Sequence, residues 1–388
     1  MMSTDQTTIF MDHIRKHASN YYRDFGTEQT GVHLVDKMER RTVILYRFRV
    51  SNNTQTHSVF VKVPSPLSPT SPTNGSVCEK PPLFPKVDPH DKLRLQYSAL
   101  KAIYEYFTSL HTQNLGAIRV LDYLPEYDAI FTEESYDLKL RQLFFRKNRL
   151  YSKFFDNGLI PAFRNAGAWL SAYHKMPKDE DVFPRDSHRE DYMEAIIKLK
   201  DFLVKTLGDE SFFNTTSSIL LNEAQEIFPK SLPLGLGHGD FAPRNILIGP
   251  DARVTVLDTL ARWRTPIYED IGYFLNELKT SYPQVVSQGL AFSANQLATH
   301  EQAFLKGYFD QEPIPYSAIQ LYEALALLDK WSSTIARLYQ QPDSIQIATR
   351  LKIKLASRYF KRRAKSLLEE LVNSENRLFL SYPIINRK

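Results

Sequence analysis

The sequence predicts an α+β protein of two lobes: a small one built on an antiparallel sheet plus a helix, and a large one that is mostly α-helical. Three observations predict it. β-like runs cluster ahead of residue 134, with one strongly periodic helix among them. From residue 138 onward, apolar residues recur mainly at helical spacing. Between the helices lies the stretch Leu236 to Asp258, a short loop followed by two β-rich runs that read as a hairpin. The expected division places residues 1–134 in the small lobe, with a Pro/Ser-rich loop over 64–90, and residues 135–388 in the large lobe.

Taken in order, residues 8–25 place Phe10, Ile14, Ala18 and Tyr21 on one side of an opening helix whose role is packing. Val32–Val35, Thr42–Val50 and Ser58–Val63 read as strands. In the last of these Phe60 and Lys62 share one face, opposite Val59, Val61 and Val63. Eight prolines between Pro64 and Pro89 exclude a helix or central strand there, leaving a solvated loop. Asp91–Phe107 carries Leu93, Tyr97, Leu100 and Tyr104 at helical spacing. Ile118–Tyr123 and Asp128–Phe131 read as the last strands of the small lobe, and Thr132–Tyr136 as the connection to the large one.

Residues 138–175 are helical in pattern and end at His174, which reads as a structural residue at a helix end. Lys178–Glu194 is acid-rich, a solvated segment or a wall suited to a cationic ligand. Ile271–Leu278, Tyr316–Tyr339 and Leu351–Leu371 continue the helical pattern. From Ser344 to Leu368 there is no acid, while eight cations from Arg350 to Lys365 interleave with apolar residues. That is a solvated helix, or a face over 350–365 for peripheral contact with a membrane or an anionic glycolipid.

Composition is that of an ordinary globular chain: 388 residues, 43% hydrophobic and 24% charged, with a net charge of +5. The lone cysteine, Cys78, excludes an internal disulfide and a cysteine-rich zinc site. No window reaches the apolar length of a membrane span, and the N-terminal residues lack a signal-peptide pattern, so the expected location is cytoplasmic.

The stretch that carries chemistry is Leu236-Gly-His-Gly-Asp-Phe-Ala-Pro-Arg-Asn-Ile-Leu247, followed by a Gly-Pro-Asp turn and a β-rich run ending at Asp258. A hairpin here would return Asp258 toward Asn245. One carboxylate and one amide oxygen suit Mg²⁺, a hard cation that prefers oxygen ligands. An aspartate five residues before the asparagine can take the proton of an attacking hydroxyl, as in the kinase loop H-R-D-x-x-x-x-N. These residues point to phosphoryl transfer, in which a strand lysine such as Lys62 would hold the nucleotide phosphates. Lys62 also reads as a plain solvated strand residue.

The stretch resembles the aminoglycoside phosphotransferase and choline kinase-like family, the small-molecule branch of the protein-kinase-like fold. The resemblance rests on His238-Gly-Asp240 to Asn245, on Leu257-Asp258, and on Pro266, Asp270, Ile271 and Gly272. It implies ATP (or GTP) and Mg²⁺ as cofactors, Asp240 as catalytic base with His238 supporting the loop, Asn245 and Asp258 as metal ligands, and Asp270 as a structural residue. It further implies that Lys62 positions phosphates, that Gln96 stands where relatives pair a glutamate with that lysine, and that the segment around Glu133 offers backbone groups to the adenine. Asp36–Arg41 occupies the turn where a glycine-rich phosphate loop is expected.

The implied activity is transfer of the γ-phosphate to a hydroxyl of a sugar, an aminoglycoside or a glycan intermediate. No nucleic-acid partner is expected. The short run after Asp258 has neither D-F-G nor A-P-E, which argues against a protein substrate. Arg262, Trp263 and Arg264 in that run read either as acceptor contacts or as packing. The alternative is an inactive pseudokinase that uses the fold to bind nucleotide or a partner.

Overall fold

The computed structural model describes residues 6–25, 30–40, 42–65, 80–83, 87–146, 156–178, 182–339 and 346–373. Most of the proline-rich loop, Cys78 and Asp179–Asp181 lie outside the described residues. The chain forms two compact units. The first comprises Met1–Asn74, Lys86–Leu138 and Gly249–Ala261; the second comprises Gly75–Pro85, Lys139–Ile248 and Arg262–Lys388. The α+β expectation holds.

In the first unit, α1 (Gln6–Tyr21) buries Phe10, Ile14, Ala18 and Tyr21. This is the stripe its spacing predicts. It is followed by β1 (Gly31–Glu39), β2 (Val43–Ser51), β3 (Thr56–Pro64), α2 (Pro89–Ser109), β4 (Leu115–Ala117), β5 (Val120–Leu124) and β6 (Ala129–Glu133). Five of these strands form one sheet in the order β1-β2-β3-β6-β5, antiparallel at each junction. Strand alternation sends Ile44, Tyr46, Phe48 and Val50 of β2, and Val59, Val61 and Val63 of β3, into one core with the α1 stripe. Lys62 therefore faces the other side, opposite Leu45 and Ile130 in register.

Three details differ from the sequence expectation. Asp36–Glu39 is strand, paired with Arg47–Ile44 across a bulge between Leu34 and Asp36, so β1 runs on through the segment expected to be turn as far as Glu39. Cross-strand pairing with β2 outweighs the charged character of that segment. The predicted strand Ile118–Tyr123 begins at Val120 as β5, and ahead of it lies β4, which the sequence pattern does not predict and which pairs in parallel with Val254–Val256. In α2 the buried stripe is Leu93, Gln96, Leu100, Ile103 and Phe107, while Tyr97 instead stacks on Tyr123 at 5.0 Å.

The second unit is helical: α3 (Leu140–Arg146), α4 (Asp156–His174), α5 (Arg189–Leu207), α6 (Glu210–Ile227), α7 (Ile267–Lys279), α8 (Tyr282–Val286), α9 (Ala294–Phe309), α10 (Tyr316–Tyr339) and α11 (Gln346–Val372). The central α10 packs against α5, α6, α7 and α11. The pair α4 and α9 meets backbone to backbone: a Cβ on Gly307 would lie 1.8 Å from the Arg164 carbonyl oxygen, and one on Gly167 would lie 2.0 Å from that of Phe304. Only hydrogen fits at either position. A three-stranded sheet joins Phe183–Pro184, Trp263–Pro266 and Leu234–Leu236, with the Trp263 strand in the middle. No helix among the described residues is long and apolar enough to cross a membrane.

Candidate active site

The loop from His238 to Asn245 leaves strand Leu234–Leu236 and turns at Gly239, whose φ of +77° suits glycine. Its conformation is fixed by Asp270 in the first turn of α7. The Asp270 carboxylate accepts from the His238 N–H at 2.6 Å and the Gly239 N–H at 2.9 Å. His174 Nε2 lies 3.2 Å from the same carboxylate, and its Nδ1 lies 2.7 Å from the Tyr308 hydroxyl. Burial raises a carboxyl pKa, but the hydrogen bond from His174, the nearby imidazoles and the His238 N–H outweigh it and hold Asp270 below the usual carboxylate range.

His238 is 5% exposed, with its ring among Trp169, Tyr173 and Phe241. Its Nδ1 accepts the Asp240 N–H at 3.3 Å, which makes it a positioning residue for the loop. Asp240 itself is held through both oxygens. Oδ1 accepts from Arg244 and, at 3.0 Å, from the Tyr273 hydroxyl; Oδ2 accepts from the Asn245 amide at 2.8 Å. A second bond from the same nitrogen reaches the Asp240 carbonyl at 2.9 Å, so the Asn245 amide oxygen is the atom with which it would meet a cation.

Arg244 continues to Glu277 at 2.7 Å, and Glu277 to Lys330 at 2.6 Å, giving an alternating row of charges behind Asp240. Burial works against the Arg244 charge, but Tyr273, Asp240 and Glu277 together raise its pKa further, so it stays cationic. Burial, with Asp240 and Glu277, pushes the Tyr273 hydroxyl up, keeping it a donor. Sequence reasoning missed Arg244, Tyr273 and Glu277. A signal existed: Asp270, Tyr273 and Glu277 fall at i, i+3 and i+7 on one face of α7.

The first unit gathers a second group. Lys62 Nζ donates to Asp258 Oδ1 at 2.8 Å, and Gln96 Nε2 donates to the same oxygen at 3.0 Å. Gln96 therefore does not bond Lys62 directly. Both are donors here, and they converge on a common acceptor. Asp258 sits at φ +60°, a left-handed conformation that few non-glycine residues adopt. Glu133 ends β6; its N–H is committed to the Arg119 carbonyl at 3.0 Å, which leaves its own carbonyl for any further contact. Lys62, Gln96 and Asp258 thus come together in one unit, and His238, Asp240 and Asn245 in the other.

Beside Gly239 and Tyr273 lies a cavity lined by the carboxylates of Asp186, Asp191, Glu194, Glu269, Asp270 and Asp329 against one lysine, Lys198. Part of the acid-rich 178–194 segment is therefore cavity wall. Arg185 binds Glu269 at 2.6 Å and Lys80 binds Asp329, so carboxylates remain in excess. Burial pushes Glu269 up to about 7 despite Arg185, and raises Asp186 as well. Arg262 instead covers the Trp263 ring at 5.1 Å, and Arg264 donates to the Lys178 carbonyl at 3.3 Å; neither lines this cavity.

No family model and no curated protein matches the chain. Solved structures do. A spectinomycin phosphotransferase crystallised with ADP and spectinomycin is 11% identical, over 91% of this chain and 98% of that one, with a TM-score of 0.45. The choline kinase of Streptococcus pneumoniae is 14% identical, over 95% and 100%, with a TM-score of 0.47. The ethanolamine kinase of Plasmodium vivax is 12% identical, over 95% and 90%, with a TM-score of 0.48. All three are small-molecule kinases by name. With TM-scores below 0.5, the likeness lends no weight to any residue's role.

Proposed function

We propose that the chain transfers the γ-phosphate of ATP (or GTP) to a hydroxyl of a small molecule that also carries positive charge, such as an aminoglycoside or an amino alcohol. The observation that carries this reading is Asp240, gripped by Arg244, Tyr273 and Asn245 where Gly239 and Tyr273 border a cavity rich in carboxylates. An acceptor amine would be drawn to Asp191, Glu194 and Glu269, and its hydroxyl turned toward Asp240. The Asp240 carboxylate takes the hydroxyl proton as the acceptor oxygen bonds to the γ-phosphorus. The bond to the β–γ bridging oxygen breaks, and the nucleoside diphosphate departs.

Lys62 supplies a fixed positive charge for the phosphates. Asp258 and Asn245 offer the carboxylate and amide oxygens that a hard cation prefers, and bound Mg²⁺ would neutralise charge on the β- and γ-oxygens. With the tetrahedral phosphoryl group doing little covalent chemistry with the protein, the protein's contribution is positioning and electrostatics. The test is nucleoside diphosphate release over a panel of aminoglycosides, amino alcohols and neutral sugars. Turnover confined to cationic acceptors supports the reading; turnover of neutral or anionic acceptors alone removes the cavity from it.

A second reading, a binding module without turnover, is favoured by one observation: both oxygens of Asp240 already carry donors, and Oδ1 of Asp258 carries two. Nucleotide-dependent thermal stabilisation with no turnover of any acceptor would select it.

A further inference from the structure

Along α11, Arg350, Lys354, Arg358 and Lys361 follow one another at intervals of four, four and three residues, a single stripe on one helix face. The stripe lines a groove of about 710 Å³ in the second unit, formed with α6 and α10 and the segment between α5 and α6. Its walls are apolar: Leu207, Phe213, Leu338 and Ile353, with Trp331 at the base, 2% exposed and hydrogen-bonded through Nε1 to Ser357 at 3.1 Å. Among the described residues the one acid in the groove, Asp209, is taken by Lys361, whose ammonium also lies 4.6 Å from the Phe212 ring centre. Arg350, Lys354 and Arg358 are exposed and form no ion pair with a described residue.

Three cations with no ion-pair partner among the described residues, above an apolar trough, define their complement. A free inorganic anion would use the cations and leave the trough wet. A neutral apolar ligand would use the trough and leave the cations idle. A nucleic acid would want several aromatic faces open for stacking, whereas of the groove's described aromatics Trp331 and Phe213 are buried and Tyr339 alone is exposed. The chemistry that uses both is one molecule with an anionic head and a hydrocarbon tail.

We propose that this groove seats a single anionic phospholipid, with its acyl chain along Leu207, Phe213, Leu338 and Ile353 and its phosphate beneath Arg350, Lys354 and Arg358. The groove's volume falls in the range of small-molecule sites. The proposal is independent of phosphoryl transfer, since no residue of the loop from His238 to Asn245 takes part.

The test uses the full chain with phosphatidylcholine vesicles, with and without phosphatidylglycerol, read by co-sedimentation and by tryptophan quenching from brominated acyl chains. The expected result is binding only when phosphatidylglycerol is present, with quenching that disappears in Trp331→Phe. Replacing Arg350, Lys354 and Arg358 together by Gln should weaken binding roughly a hundred-fold, at about 1 kcal/mol per cation. Ile353→Asp keeps all three cations and should abolish quenching. Circular dichroism confirms that each variant is folded. Binding without quenching would mean surface attraction only and would overturn a seated lipid; so would displacement of the protein from vesicles by millimolar inorganic phosphate or by a short RNA at constant ionic strength.

Discussion

The two grooves of the second unit are opposites in charge and also in how that charge is held. The cavity beside Gly239 draws its carboxylates from the segment before α5, from α5, α7 and α10, and ties several of them to buried cations. The groove along α11 draws its cations from one helix and leaves three of them to solvent. In the first, Asp270 is buried and Glu269 largely so, and both are held by partners from other elements, so removing either disturbs the fold. In the second, charge is a property of one face and can be removed with little structural cost. Function built on the first kind costs stability when altered; function built on the second can be altered alone.

The largest effect that would sharpen this contrast is at Asp240. Asp240→Asn keeps the shape and removes the base, and should lower turnover about 10²- to 10⁴-fold, the usual worth of a general base, while nucleotide still stabilises the protein. Steady-state kinetics and thermal shift read the two arms; undiminished turnover breaks the base assignment.

Next is Asp270, whose loss leaves His174 and two loop N–H groups without their buried acceptor. Asp270→Ala should destabilise the fold by about 3–5 kcal/mol in urea denaturation. Because the folded pKa is depressed, the stability that Asp270 contributes is present above the ordinary carboxylate range and is lost as pH falls through the folded value.

Its neighbour Glu269 behaves in the opposite sense. With a folded pKa of about 7, it favours folding while protonated, so its contribution declines as pH rises from the ordinary carboxylate range toward about 7. As pH then rises through about 7 the folded cavity gains a negative charge, and affinity for a cationic acceptor should rise. Glu269→Gln should flatten both trends in denaturation and binding measured from pH 5 to 8, the range that spans the shift.

The smallest effect expected is at exposed cations. Arg358→Gln, in the α11 stripe, and Arg94→Ala, whose partner Asp91 is equally exposed, should each change stability by less than about 1 kcal/mol. A larger loss at Arg358 would show that the stripe is structural and would erase the contrast between the grooves.

The sequence was most legible where one local rule acts alone. The α1 stripe follows from spacing, the β2 and β3 cores from alternation, and the loop from His238 to Asn245 from its residue types and intervals. It was least legible where side chains distant in sequence meet. The convergence of Lys62 and Gln96 on Asp258 joins residues 196 and 162 positions apart, and no local pattern encodes which acceptor two donors will share. Tyr273 and Glu277 were hidden for a related reason: on an amphipathic helix, polar positions facing a buried charge look like positions facing water. The turn assignment of Asp36–Glu39 failed because pairing with β2 makes the segment a strand.

Asp258 is left-handed at φ +60°, a conformation that costs an ordinary residue about 1–2 kcal/mol and glycine almost nothing. Two selections on this gene would therefore pull position 258 apart. A screen for heat endurance alone would favour Asp258→Gly, and a screen for chemistry would hold the carboxylate, so the residues recovered from the two would measure how much stability the protein gives up there to keep one oxygen in place.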